Sequence, residues 1–268
     1  MTIRRSFCPL MIMLWVALLS GCAEIGAAGD DGQREPTTAS DQTDGERRAR
    51  VRLELASAYF SRGQLETALD ELKLSINAKA DLHEAYNLRG LIYAALGESG
   101  LAESSFKRAL ALNPRDGDAM HNFAWFMCQA QRYADADALF GQALTQAQYR
   151  GTARTMLARG LCLARAGQWL QAEGVLMRGY ELEPNNPSMA INLAEVLYRR
   201  ADYERARVFV GRVNSQPLSA NPQTLWLAAR IEHKLGSLVR EREFGIELIS
   251  RFPKSPEAAL YEGKRFDE

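Results

Sequence analysis

The feature that most constrains this 268-residue chain is a small residue that recurs every 34 to 36 positions. Ala or Gly stands at 56, 90, 124, 160, 194 and 229, so the successive spacings are 34, 34, 36, 34 and 35. Aromatic residues and further small residues keep similar offsets from these places in most units. A period of this length predicts an array of similar supersecondary units that bury their apolar surface against one another.

The placement of proline independently supports this register. The chain has no proline between Pro36 and Pro114, and the prolines from Pro114 onward all fall at junctions between units, at 114, 184, 187, 217, 222, 253 and 256. Because a proline inside a helix costs about 3 kcal/mol, this confinement favours helical units. In the second unit, Gly97 stands where the first helix is expected to end and turn.

Units with this period and these small, aromatic and proline residues resemble the tetratricopeptide repeat, a helix–turn–helix unit. The resemblance implies an all-α fold, a right-handed solenoid of six repeats. The expected repeats are 49–82, 83–116, 117–152, 153–186, 187–221 and 222–255, with a C-terminal cap at 256–268. Repeat six is the loosest match, since Glu241 and Gly245 stand where Ala and a bulky residue are usual. An atypical last unit followed by a solvating helix is what a terminal cap requires.

The N-terminus has the pattern of an export signal. Arg4 and Arg5 precede an apolar segment at 10–19, which is too short to span a membrane. The segment Leu19-Ser20-Gly21-Cys22 is similar to the bacterial lipobox. This resemblance implies a cleaved signal peptide at 1–21 and a lipid on Cys22. An uncleaved anchor or an ordinary secretory signal is the alternative.

The residues after Cys22 extend this expectation to location. Ala23 stands where an Asp would signal inner-membrane retention, so the lipobox resemblance implies the inner leaflet of a Gram-negative outer membrane, facing the periplasm. Several acyl chains on one residue would hold the protein stably there. Residues 22–48 contain one large aliphatic residue, Ile25, and therefore predict a lipid-anchored flexible tether.

Charge and motifs argue against nucleic-acid binding and catalysis. Basic and acidic residues number 33 each, and loss of residues 1–21 leaves 31 and 33, a net charge of −2. The chain has no H-E-x-x-H, phosphate-binding loop or G-x-S-x-G motif. His121 and Cys128 lie two helical turns apart, but two ligands do not define a zinc site. We therefore expect no enzyme activity, no metal and no cofactor apart from the lipid.

In the tetratricopeptide family the first helix of each repeat lines a concave surface. The family positions that face it imply a partner-binding groove formed by Asn87, Leu91, His121, Asn122, Trp125, Leu157, Leu161, Asn192, Glu195, Tyr198, Trp226 and Arg230. Asn122 and Asn192 stand where such proteins often place an Asn that pairs with a bound peptide backbone. This mixture of Trp, Tyr, Asn and Leu suits a peptide better than a nucleic acid.

Two alternatives qualify the groove. Leu157, Leu161 and Ile191 can equally pack against the adjacent repeats. Trp169 replaces the aromatic residue that other repeats carry, Tyr133 or Tyr203, and is therefore expected in the core.

Two cysteines remain after Cys8 is removed with the signal and Cys22 is lipidated. Cys128 and Cys162 lie near the ends of the first helices of repeats three and four, which stack side by side. In an oxidising compartment this placement favours a disulfide, which would join the two repeats. Two free thiols in an apolar core are the alternative.

The segments around these cysteines carry a closer resemblance. Residues 122–129, of the form N-[FY]-[AG]-x-F-[LM]-C-Q, and 160–167, G-L-C-x-x-x-A-G, resemble the type IV pilus biogenesis lipoproteins, the pilotins of the pilus secretin. Ala124 stands where Gly is frequent in that family. The resemblance implies a non-enzymatic protein that binds secretin subunits, with other pilus assembly lipoproteins as further partners, and promotes their outer-membrane localisation and multimerisation. Twitching motility would depend on it.

Two other functions compete with this one. A general periplasmic scaffold lipoprotein for cell-wall or outer-membrane assembly machinery would have the same anchor and repeats. A lipoprotein hydrolase with a helical accessory domain has almost no room, because the repeats occupy 49–255 and thirteen residues follow.

Overall fold

The computed structural model describes residues 43–216 and 218–267, so the expected signal peptide, Cys22 and most of the expected tether lie outside the described residues. The regular secondary structure of the described residues is entirely α-helical. Its helices are α1 (Asp44–Ser61), α2 (Leu65–Ala78), α3 (His83–Ala95), α4 (Ser99–Leu112), α5 (Gly117–Gln129), α6 (Tyr133–Leu144), α7 (Thr152–Arg165), α8 (Trp169–Leu182), α9 (Pro187–Arg199), α10 (Tyr203–Asn214), α11 (Pro222–Lys234), α12 (Leu238–Arg251) and α13 (Pro256–Glu262).

These helices form six consecutive pairs and one further helix. Each odd-numbered helix from α1 to α11 packs against the helix that follows it, and each second helix packs against the first helix of the next pair. The all-α solenoid of six helix pairs expected from the period is therefore confirmed.

The turn inside each pair explains why the period is visible in the sequence. One residue after each first helix adopts a left-handed conformation with φ between 60° and 79°, at Gly63, Gly97, Gln131, Gly167, Ala201 and Gly236. Glycine adopts this conformation without steric cost, and it occupies four of the six places. The spacings of these residues repeat those of the small residues in the first helices.

The small residues are required by close helix approach. A Cβ atom on Gly90 would lie 2.7 Å from Cδ1 of Phe106, and one on Gly160 would lie 2.5 Å from Cδ2 of Leu176. The other members of the series, such as Ala56 and Ala124, are fully buried. In these two pairs the first and second helices therefore contact through a glycine on one helix and a large apolar side chain on the other.

The first helix begins earlier than expected. Residues 44–48, assigned above to the tether that ends at 48, form the first turn of α1. Thr43 and Glu46 make a reciprocal capping box, in which each side chain accepts a hydrogen bond from the other residue's backbone N–H. Glu46 also pairs with Lys79 at the end of α2. These contacts satisfy the helix start, so the boundary at 49 was wrong.

The C-terminal segment is a packed element and not a solvating one. Ala258 in α13 and Phe266 beyond it are buried, and both belong to a cluster with Trp226 of α11. The same packing explains the departure of repeat six from the family pattern, since a Cβ atom on Gly245 would lie 1.8 Å from Cζ of Tyr261. Glycine at 245 is the residue that lets α13 approach α12.

Candidate partner-binding groove

The first helices of repeats two to six lie side by side and carry the residues expected in the groove. Asn122 Nδ2 donates to Asn87 Oδ1 at 3.1 Å, which connects α5 to α3. Arg230 Nη2 lies 3.3 Å from Glu195 Oε2, which connects α11 to α9. The structure therefore brings together residues that are about 35 positions apart in the sequence.

His121, expected in the groove, is instead a buried part of the α5–α7 interface. It is 8% exposed, its Nδ1 lies 2.8 Å from Thr155 Oγ1, and its ring meets Phe140 edge-on. Thr155 in turn lies 2.6 Å from the hydroxyl of Tyr149, which sits in the loop that lengthens this repeat. Burial, with a smaller contribution from the charge of Arg154, lowers the pKa of His121 from 6.5 to about 4. His121 is neutral at neutral pH and is not available to a partner.

The same interface contains the cysteine pair. Cys128 of α5 and Cys162 of α7 are joined in a disulfide with their Cα atoms 5.8 Å apart. Both residues are almost fully buried. The bond therefore joins repeats three and four beneath the surface.

Trp226, the second expected groove residue that does not fit, is covered by the C-terminal segment. It is 4% exposed and stacks on Phe266 with ring centroids 5.4 Å apart. Tyr261 meets its indole edge-on at 6.4 Å. Trp226 occupies a position that faces the concave side in other repeats of the family, but in repeat six the C-terminal segment covers it.

The other expected groove residues are partly exposed, and they form two small groups. Trp125 lies under the guanidinium of Arg165 at 5.0 Å from the ring centroid. Tyr198 lies under the guanidinium of Arg230 at 4.8 Å. The partly exposed set comprises Asn87, Leu91, Asn122, Trp125, Leu157, Leu161, Asn192, Glu195, Tyr198 and Arg230.

Three aliphatic residues were expected either in the groove or in the packing between repeats. Of these, Leu157 and Ile191 pack against the core of repeats four and five. Leu161 instead lines a depression of about 260 Å³ between α7 and α9. Asn192 and Glu195 lie on the opposite wall, so part of the expected groove is an open concavity. Asn192 donates to the carbonyl of Ser188 in its own helix at 2.7 Å and makes no pair like that of Asn122.

Sequence reasoning missed three residues of this concavity. Trp169 packs against the core, as expected, but it is only partly buried and also lines the depression. Arg165 and Arg199 also line it. All three lie beyond the last position of the first helix that the family pattern marks as concave, so the pattern gives no signal for them.

Two further properties of the described part of the chain bear on function. Its residues include no group of three or more His, Cys, Asp and Glu side chains placed to hold a metal ion. None of its helices is both long and apolar enough to cross a bilayer.

Comparison with known proteins agrees with the helix pairs. The tetratricopeptide repeat family matches residues 83–116, which are the bounds expected for repeat two. The chain is 23% identical over 265 residues to the type IV pilus assembly protein PilF of Pseudomonas aeruginosa, covering 99% of this chain and 100% of that one.

Solved structures show the same fold. The structure of P. aeruginosa PilF has a TM-score of 0.73 at 21% identity and covers 83% of this chain and 100% of its own. PilW, described as a widely conserved type IV pilus biogenesis factor, has a TM-score of 0.73 at 25% identity, covering 80% and 97%. YrrB, described as a protein with an unusual peptide-binding site, has a TM-score of 0.59 at 16% identity, covering 72% and 97%.

The helix pairs, the left-handed turns and the open first-helix surface define a tetratricopeptide-repeat protein, a class built for binding other proteins. Within that class the chain is similar to PilF and PilW over most of its length.

Proposed function

We propose that this chain is a pilotin, a lipoprotein of the outer membrane that binds type IV pilus secretin subunits and promotes their localisation and multimerisation. The observation that carries the proposal is its likeness to PilF, which extends over 265 residues. The concave surface supports it, because ten of the twelve expected groove residues remain partly exposed.

The location is proposed from residues that the structure does not describe. The lipobox-like segment ending at Cys22 supplies the anchor, and residues 23–42 supply the reach between the bilayer and the start of α1. A protein held at the inner leaflet in this way would meet secretin subunits in the periplasm.

The experiment compares two cysteine substitutions within the signal region. Cys22→Ser removes the proposed lipid attachment, whereas Cys8→Ser changes a cysteine that the proposal removes with the signal peptide. Both variants are expressed at native level and scored for lipid labelling, membrane fraction and heat-stable secretin multimers. We expect Cys22→Ser to lose the label and leave the secretin unassembled or in the inner membrane, and Cys8→Ser to match the wild type.

Removal of the whole protein supplies the decisive comparison. Secretin multimers that form normally without it would overturn the pilotin proposal. Capture of cell-wall enzymes in place of secretin, by the wild-type protein, would favour the general scaffold instead.

A further inference from the structure

The depression between α7 and α9 continues into a second one at the turn between α7 and α8. The two depressions have volumes of about 260 and 460 Å³ and share Trp169 and Arg199. We call the continuous surface the Trp169 groove. It lies between repeats four and five.

The inner depression is apolar. Its depth is lined by Leu161, Ala164, Leu176 and Val196, with the Trp169 ring at the junction with the outer depression. A volume of about 260 Å³ is below the roughly 300–1,000 Å³ of pockets that hold whole small molecules. It is suited to one large side chain presented by a protein.

The outer depression is lined by both apolar and polar residues. Gln168, Gln171 and Arg200 line it, and Leu170 at its edge is 69% exposed. An extended segment that places an apolar side chain in the inner depression would lay its neighbouring residues here.

The charge of the groove is positive. Arg165, Arg199 and Arg200 line the two depressions, against a single lining acid, Glu195. Glu195 accepts from Arg199 at 2.8 Å and is shared with Arg230. Glu195 therefore pairs with one lining arginine, Arg199, and with Arg230 outside the two depressions.

The remaining two lining arginines differ in their partners. Arg200 pairs with Glu173, which also pairs with Arg205 at 2.7 Å. Among the described residues Arg165 forms no ion pair with an acid, and its guanidinium lies over the Trp125 ring. The positive charge of Arg165 is therefore not balanced by an acid, and it lies at the rim of the apolar inner depression.

Trp169 distinguishes this groove from the other repeats. The residue that begins the second helix is Leu65, Ser99, Tyr133, Trp169, Tyr203 and Leu238 in successive repeats. Only repeat four places an indole there, and large aromatic rings provide much of the binding energy at protein interfaces.

We propose that the Trp169 groove binds an extended segment of a protein partner in which a large apolar side chain is adjacent to acidic residues. The apolar side chain enters the inner depression against Trp169, and the acidic residues meet Arg165 and Arg199. The proposal deepens the proposed function and rests on it, because it names the surface and the chemistry through which the secretin would be held.

The test uses the full processed lipoprotein in mild detergent and three fluorescein-labelled peptides, GSGFDEGSG, GSGFKKGSG and GSGSDEGSG. Fluorescence polarisation measures binding, and 5-fluorotryptophan in the protein locates it by ¹⁹F NMR. We expect the first peptide to bind about tenfold more tightly than the other two. Its titration should shift the signals of Trp125 and Trp169 and leave that of the buried Trp226 unchanged.

Two substitutions examine the groove directly. Arg165→Glu reverses the charge at the rim of the groove. Arg115→Glu is the control, because it makes the same change in the exposed loop between α4 and α5, outside the groove. Trp169→Tyr keeps the residue found in repeats three and five. We expect Arg165→Glu to weaken binding of the first peptide about tenfold, Trp169→Tyr to weaken it less, and Arg115→Glu to match the wild type.

Equal binding of all three peptides, no binding to the wild type, or wild-type affinity of Arg165→Glu would overturn the proposal. Secretin capture separates this failure from failure of the proposed function. If Arg165→Glu captures secretin normally, the proposed role of the groove is wrong and the proposed pilotin function is unaffected. If secretin assembly does not need the protein at all, the pilotin is wrong, and the peptides still decide the groove.

Discussion

Helix α7 has two neighbours among the first helices, and the two interfaces differ in kind. Towards α5 it contributes Cys162 to the disulfide, Thr155 to the hydrogen bond with His121, and Arg154 to an ion pair with Asp118 at 2.6 Å. Towards α9 it leaves an apolar depression of about 260 Å³ with an arginine at the rim. One helix thus has a covalently joined side and an open side.

The difference shows how a repeat array can divide its work. All the repeats pack in the same way, each helix pair against the next. Their concave surfaces therefore differ only where their sequences differ. Among the contacts of α7 with its two neighbouring first helices, the disulfide and the polar contacts lie on the α5 side, and the accessible apolar depression lies on the α9 side. Substitutions on the α5 side should therefore change stability, and substitutions on the α9 side should change binding.

The largest expected effect comes from the disulfide. Replacement of both Cys128 and Cys162 by Ala should lower the free energy of unfolding by about 3–4 kcal/mol, because a link across 34 residues restricts the unfolded chain. Urea denaturation of the two proteins measures the difference. Peptide binding to the Trp169 groove should be unchanged below the unfolding transition, because the disulfide is on the opposite side of α7.

Reduction of the wild type provides the matched control. Dithiothreitol should shift its urea midpoint towards that of the double variant and leave the variant itself unaffected. A wild type whose midpoint is insensitive to the reductant would contradict the assignment of a stabilising bond.

The second effect is a pH dependence at the same interface. The pKa of His121 is about 4 in the folded protein and 6.5 in its ordinary state, so the unfolded chain takes up the proton first as the pH falls. This contribution to stability is complete above pH 6.5 and is lost between pH 6.5 and 4, by up to about 3 kcal/mol. Below pH 4 it changes no further.

The control is a variant that lacks only the imidazole and keeps the charged groups around position 121. His121→Gln retains a polar group for Thr155 but does not titrate, so the wild type should lose stability relative to it as the pH falls from 7.5 to 4.5. Urea midpoints at a series of pH values measure this. A constant difference between the two proteins over that range would show that His121 protonation is not linked to unfolding.

The fold was predictable because the residues that specify it repeat. The small residues in the first helices and the glycines at the left-handed turns have the same spacing, so each unit supports the register of the others. The start of α1 was also encoded, in the Thr43–Glu46 capping box, but that signal is local and lies outside the period.

The groove was less predictable because accessibility depends on neighbours outside each repeat. Trp226 occupies a concave position, yet α13 covers it, and no pattern within repeat six indicates that. His121 is buried against Thr155 of the next repeat, which Tyr149 of the longer loop before α7 also contacts. Trp169 is partly exposed because the side chains around it leave space between α7 and α9, which depends on several residues at once.

The smallest expected effect separates two residues that the sequence makes equivalent. Asn122→Ala removes the hydrogen bond to Asn87, and we expect it to lower the free energy of unfolding by about 1 kcal/mol. Asn192→Ala removes only a bond within its own helix, and the better helix propensity of Ala should make it neutral or stabilising by up to about 0.5 kcal/mol. Urea denaturation of the two variants side by side measures the contrast.

Asn192→Ala should weaken binding of GSGFDEGSG, because this side chain lines the groove and Asn122 does not. Equal losses of stability would mean that the Asn122–Asn87 bond between α5 and α3 contributes no more than the bond of Asn192 within α9.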